Sequence, residues 1–148
     1  MERKSELHNL SHQHHHGLVA ARHLRLAADG ARPLAEVRAE FLAAWQSDIA
    51  AHFRAEEEIL LPALATALPE DHPLIVRTLT EHVALRRAVR ALSAGSDLSA
   101  PAAAEIGCLL HDHIRFEERE LFPAVEAALT PDALAAVGAD LARRADSE

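Results

Sequence analysis

His52-Phe53-Arg54-Ala55-Glu56-Glu57-Glu58-Ile59-Leu60-Leu61-Pro62-Ala63 is followed 61 residues later by His113-Ile114-Arg115-Phe116-Glu117-Glu118-Arg119-Glu120-Leu121-Phe122-Pro123-Ala124. The two stretches agree at the histidine, the arginine, both adjacent glutamates, the leucine, the proline and the alanine, too dense a match for chance composition. Residues four apart on a helix stand one turn apart on the same face, so His52 with Glu56, and His113 with Glu117, can each grip one centre. The repeat predicts two similar helical hairpins, helix one with two and helix three with four, related by an approximate twofold axis down a bundle.

Outward from the repeat, breakers at Asp29-Gly30 with Pro33, Pro69 to Pro73, Gly95 to Pro101 and Thr130-Pro131 cut the chain into helical segments. The first, from about 5 to 28, carries Leu7, Leu10, His14, Ala21, Leu24 and Ala28 at spacings of mostly three and four. The second starts near Pro33 and places Phe41, Trp45, Ile49, His52, Glu56, Leu60 and Ala63 on one face. The third, about 73 to 94, aligns Ile75, Leu79, His82, Leu85 or Arg86, and Val89; the fourth, about 101 to 128, aligns Ile106, Leu110, His113, Glu117, Leu121 and Ala124. The expected fold is all-α: an up-down-up-down four-helix bundle over about 5–128, with a short fifth helix over about 131–144 capped by Thr130, in a single domain spanning 1–148.

Composition agrees. The 148 residues are 49% hydrophobic, only 3% aromatic and rich in helix-favouring alanine, leucine, glutamate and arginine, enough for one domain with a core. A formal net charge of -8 repels a phosphate backbone, and no basic cluster interleaved with aromatics overrides it, which argues against nucleic acid. No apolar run reaches the roughly 20 residues needed to span a bilayer, and the polar start Met1 to Glu6 lacks an apolar signal core, so no membrane is expected and the location is expected to be cytoplasmic. The single cysteine, Cys108, lies in an apolar stretch and is read as a small buried core residue.

The unusual count is histidine, 11 in all, and one interrupts the apolar face of every long helix at the same level. Burying four imidazoles and two carboxylates unpaired would cost several kcal/mol for each ionised group. Against a domain stability of roughly 5–15 kcal/mol that is a large share, and metal ions remove it. The candidate ligands are His14, His52, Glu56, His82, His113 and Glu117. On helix one His12, His14, His15 and His16 compete: His14 lies on the stripe with Leu10 and Ala21, and His15, about 100° further round, is the alternate. Imidazole and carboxylate without thiolate suit iron, manganese or zinc, and two carboxylates arriving from opposite sides suit bridging two ions roughly 3.5–4 Å apart. Two histidines and two shared glutamates for each metal would leave positions for an oxo or hydroxo bridge and an exogenous small molecule.

These motifs, with the cluster His14-His15-His16 and the pair Glu81-His82, resemble the hemerythrin-like HHE cation-binding family from about Leu7 to Ala128. The resemblance implies a non-haem di-iron centre that handles dioxygen, peroxide, nitric oxide or iron itself. It departs from the oxygen-carrying hemerythrins, which have a second helix-three histidine where Thr78 stands and a His-x-x-x-x-Asp on helix four. It points instead to the branch linked to sensing, stress response and repair of iron centres.

The remaining polar residues receive quieter roles. Glu57, Glu58, Glu118 and Glu120 are expected to be solvated, Glu57 and Glu118 being the rival carboxylates, with Arg54 and Arg115 as surface charge partners. Glu81 is expected to orient a ligand. His8, His23, His72 and His111 are read as surface or loop residues, Phe41 and Trp45 as packing at one end, and Pro62 and Pro123 as bending or ending helices two and four. Three functions follow: a di-iron module that binds or senses a small diatomic or peroxide ligand without turnover; a di-iron enzyme that dismutates peroxide or oxidises ferrous iron; and a structural zinc bundle. The first is favoured, because no further acid-base group lies on the core faces. The sequence names no protein partner.

Overall fold

Five helical stretches and no strand occur among residues 2–147, the part of the chain that the computed structural model describes. The ends of the expected 1–148 domain, Met1 and Glu148, lie outside the described residues. Helix α1 is His8–Ala28, entered through a tight turn at Ser5–Leu7. Helix α2 runs over 34–64, α3 is Pro73–Ser93, α4 runs over 100–128, and α5 is Pro131–Ser147, three residues longer than the sequence suggested.

Local chemistry sets these boundaries. The Ser99 and Thr130 hydroxyls accept from the backbone N–H groups of Ala102 and Ala133, capping α4 and α5. His72 is a cap as well: its Nδ1 accepts from Leu74 N–H at 3.2 Å, ahead of Pro73 in the first turn of α3. Helices α1 and α3 end where Gly30 and Gly95 take φ of 81° and 114°, so that Ala31 N–H can reach Leu26 O and Ser96 N–H can reach Ala91 O.

Consecutive long helices touch at the level of the buried histidines. Gln13 of α1 touches His52 of α2, Glu57 touches His82 of α3, and Glu81 touches His113 of α4. Helix α1 also lies along α4, with His14 against Glu117. A methyl at Gly107 would sit only 3.1 Å from the Ala21 carbonyl oxygen, so a side chain there would be crowded by this close approach.

Two apolar layers fill the bundle. One contains Leu24, Phe41, Trp45, Leu85, Val89, Ile106 and Leu110; the other contains Leu7, Leu10, Leu60, Leu64, Ile75, Phe122 and Val125, covered by Leu134, Val137 and Leu141 of α5. A polar layer divides them: His14, His52, Glu56, His82, His113 and Glu117 are all buried.

Several expectations are corrected. Leu79 is 41% exposed, because the buried stripe of α3 runs Ile75, Thr78, His82, Leu85 and places Leu79 a further 100° round. The Thr78 hydroxyl donates to Leu74 O at 2.7 Å, which lets it be buried without a ligand. Cys108 is exposed, since its buried neighbour Gly107 takes the inward position. Helix α2 ends at Leu64, just past Pro62, as expected, whereas α4 runs on past Pro123 to Ala128. In each case a π-helical turn, Glu56–Leu60 or Glu117–Leu121, precedes the proline. The wider turn accommodates a ring that has no N–H to give and would crowd the carbonyl four residues back.

Candidate metal centre

The π turns begin at Glu56 and Glu117, the two carboxylates at the middle of the polar layer, each wholly removed from solvent. Glu56 turns Oε2 toward His52 Nε2 at 3.1 Å and Oε1 toward His82 Nε2 at 3.1 Å. Glu117 turns Oε1 toward His14 Nε2 at 2.8 Å and Oε2 toward His113 Nε2 at 3.0 Å. Each carboxylate therefore spans two groups of donors, His14 with His52 on one side and His82 with His113 on the other. Within either group of two histidines and two glutamates, the ligand atoms all lie within 4.8 Å of one another.

The structure brings together all six residues singled out from the sequence, and it places His14 inward and the alternate His15 in solvent. Glu57 and Glu118 contribute no atom to either group, and they are not the solvated side chains expected. Glu57 accepts from His82 Nδ1 at 2.7 Å and from Arg86, and Glu118 accepts from His14 Nδ1 at 3.0 Å and from the Ser11 hydroxyl. Glu81 does orient a ring: it accepts from His113 Nδ1 at 2.8 Å while Arg77 holds its other oxygen. The fourth ring is held by a residue the sequence reasoning passed over, Gln13, whose Oε1 accepts from His52 Nδ1 at 2.8 Å. A signal for it existed, since Gln13 precedes His14 as Glu81 precedes His82.

An imidazole whose Nδ1 carries a proton for an acceptor presents Nε2 as a lone pair, and all four rings are held this way. The inward atoms are the ones left over. His52 Nε2, His82 Nε2, His113 Nε2, both Glu56 oxygens and Glu117 Oε2 are buried with no hydrogen-bond partner, the nearby ring nitrogens being within charge-pairing distance but misaligned. Orphaned buried polar groups of this kind are rare and costly. Nitrogen and oxygen donors converging without thiolate fit cations such as iron, manganese or zinc.

Without a cation the same atoms can offset one another only by holding protons. Burial lowers the basicity of the imidazoles, but the Glu56 and Glu117 carboxylates outweigh it and push His113 up to about 9, His52 to about 10 and His82 to about 11; His14 is raised by Glu117 and Glu118. Burial would raise Glu117, yet chiefly the His113 charge holds it well below the usual carboxylate range. Burial likewise opposes ionisation of Glu57, Glu81 and Glu118, and each is nonetheless lowered by its histidine and a second donor. Arg86, Arg77 and Arg3 lie beside those three outer carboxylates, so the charge left for a bound cation to meet is that of Glu56 and Glu117.

Trp45 and Phe41 belong to an apolar layer, as expected, but Phe53 touches the site directly, stacked on His82 at 3.8 Å between ring centroids. No helix among the described residues is long and apolar enough to cross a membrane. Comparison with known proteins gives a match over residues 5–125 to the family model described as the hemerythrin HHE cation-binding domain. Neither the curated proteins nor the solved structures gave a match. The family match spans the whole polar layer and both halves of the repeat, and the chain belongs to the hemerythrin HHE cation-binding domain family.

Proposed function

We propose that the polar layer holds two iron ions, one between His14 and His52 and one between His82 and His113, both shared by Glu56 and Glu117, in an up-down-up-down bundle. The observation that carries this is the division of each carboxylate, one oxygen toward each histidine pair. Iron bound there would supply a reversible change of oxidation state and positions open to a small exogenous ligand. The chain's own residues do the rest. Glu118, Gln13, Glu57 and Glu81 keep the Nδ1 protons in place and fix the ring planes, while the two apolar layers limit water on either side.

The function that suits this arrangement is binding of dioxygen, peroxide or nitric oxide as a sensing or iron-handling module in the cytoplasm. Turnover of peroxide, or oxidation of ferrous iron, would need groups to move protons. Among the residues around the adjoining cavity only the exposed Asp48 is an acid or base outside the six, which favours binding over catalysis. Thr78, where an oxygen carrier has histidine, is committed to its own backbone and favours a six-residue set.

The test is elemental analysis after anaerobic ferrous loading, with visible spectra in air and after reduction. Two irons per chain, with an absorption band that bleaches on reduction and shifts on adding nitric oxide or azide, is the expected result. A colourless protein that retains only zinc and ignores peroxide after iron treatment would replace the proposal with a structural role. Rapid oxygen evolution from peroxide, lost in Glu56→Ala, would replace it with an enzyme.

A further inference from the structure

The four hydrogen bonds that hold the histidine rings obey the internal twofold with one exception. Glu118 on His14 corresponds to Glu57 on His82, and Glu81 on His113 corresponds to Gln13 on His52. Three acceptors are carboxylates and the fourth is a neutral amide. A carboxylate accepting from Nδ1–H raises the basicity of Nε2 more than an amide does, and exchanging such partners alters metal affinity by roughly 10–100-fold. His52 is therefore the one ring of the four whose Nδ1 has no carboxylate behind it.

Other differences fall on the same side. His14 and His52 retain 5% and 7% of their surface, against 1% and 0% for His82 and His113. A cavity of about 20 Å³ lies against His14, His52 and the edges of His113 and Glu117, and does not reach His82. That volume holds about one water-sized molecule. Its wall includes Gly17, where a methyl would meet Ile114 Cδ1 at 2.6 Å. Gln13, Asp48 and His52 line both this cavity and an open groove of about 320 Å³ between α1, α2 and α5. Asp48 belongs to a third π turn, Trp45–Ile49, that has no counterpart 61 residues later, where α4 is regular. The second half of the repeat has neither the amide nor the extra π turn.

We infer that the two metal positions are unequal, the one at His14 and His52 being the exchangeable position, and that Gln13 is the positioning residue that makes it so. The inference rests on the two-ion proposal. This position, reached from the groove past Gln13 and Asp48, fills last and empties first. The other position, backed by Glu57 and Glu81, is retained.

Release of ferrous iron from the fully loaded chain to an excess of chelator, followed anaerobically, tests it. The wild type releases its two ions in phases of equal amplitude with rates roughly 10–100-fold apart. Gln13→Glu, at an exposed position that carries little folding risk, slows the fast phase toward the slow one. Glu81→Gln speeds the slow phase, and the combined swap restores two phases. A crystal loaded with one equivalent of iron carries its anomalous density between His82 and His113. Unchanged phases in Gln13→Glu, or single-equivalent density between His14 and His52, overturns the inference while leaving two ions bound. A wild type that binds fewer than two ions contradicts the underlying proposal instead.

Discussion

Leu60 and Leu121 lie one turn beyond Glu56 and Glu117 on the same helix faces, and all four are wholly removed from solvent. The leucines gain by being buried and need nothing further. Transfer from water favours each by roughly 1.5–3 kcal/mol, and their neighbours in the layer are apolar. The glutamates gain nothing from burial, and three of their four oxygens have no hydrogen-bond partner. The same bundle thus contains apolar layers that are complete in themselves and a polar layer that asks for cations. What differs is how each layer should respond when metal is added, when a side chain is cut back and when the pH changes.

Metal should have the largest effect, and only through the polar layer. An ion bound to the folded chain alone, at a thousand times its dissociation constant, adds about 4 kcal/mol. Unfolding followed with and without ferrous iron should show a gain of that order for each ion, and none in Glu117→Ala; an equal gain in both proteins would move the binding elsewhere. Cutting the apolar layer should act independently of metal. Leu60→Ala should cost about 2–5 kcal/mol in urea unfolding, by the same amount in the loaded and metal-free proteins. A loss seen only in the loaded form would mean that the two layers are not separable.

The pH response of the metal-free chain is smaller and has a definite sign. Stability from the depressed Glu117 is complete above about 4.5 and is lost as the pH falls. Stability from the raised histidines is complete below 6.5 and is lost as the pH rises toward about 9 for His113, 10 for His52 and 11 for His82. Metal-free unfolding should therefore be hardest between about pH 4.5 and 6.5 and ease steadily above that range. The loaded protein should stay level from 6.5 to 9, because metal takes the place of the protons. A metal-free profile that rises over this range would contradict the pairing described for the polar layer. Outside both layers the effects should be least: Thr130→Ala removes only the cap of α5, costs about 1 kcal/mol and leaves metal content unchanged.

Much of this contrast is visible in the sequence. Apolar spacing locates the helices, and histidine or glutamate recurring on that stripe in two copies locates the six central residues, His14 among its neighbours included. Spacing is informative there because it separates the inward stripe from everything else. It does not say what the flanking positions face. Glu57 and Glu118 stand about 100° from the stripe, a position that on an isolated helix is solvent and in this bundle is the adjacent helix. Gln13 was missed for the same reason, and Leu79 was placed inward because the stripe of α3 admits Thr78 once its hydroxyl is satisfied locally. The π turns were not legible either: a proline six residues after Glu56 and after Glu117 marks a disturbance, and only the packed helix shows that widening the turn absorbs it.

Metal content per folded chain across three variants tests most directly whether Glu56 and Glu117 each serve both metal positions. Wild type should bind two irons, Glu56→Ala and Glu117→Ala should bind none at the same free iron concentration, and His82→Ala should keep one. If Glu117→Ala, folded by circular dichroism, keeps one iron at wild-type affinity, the carboxylate is not shared and the account of the polar layer is wrong.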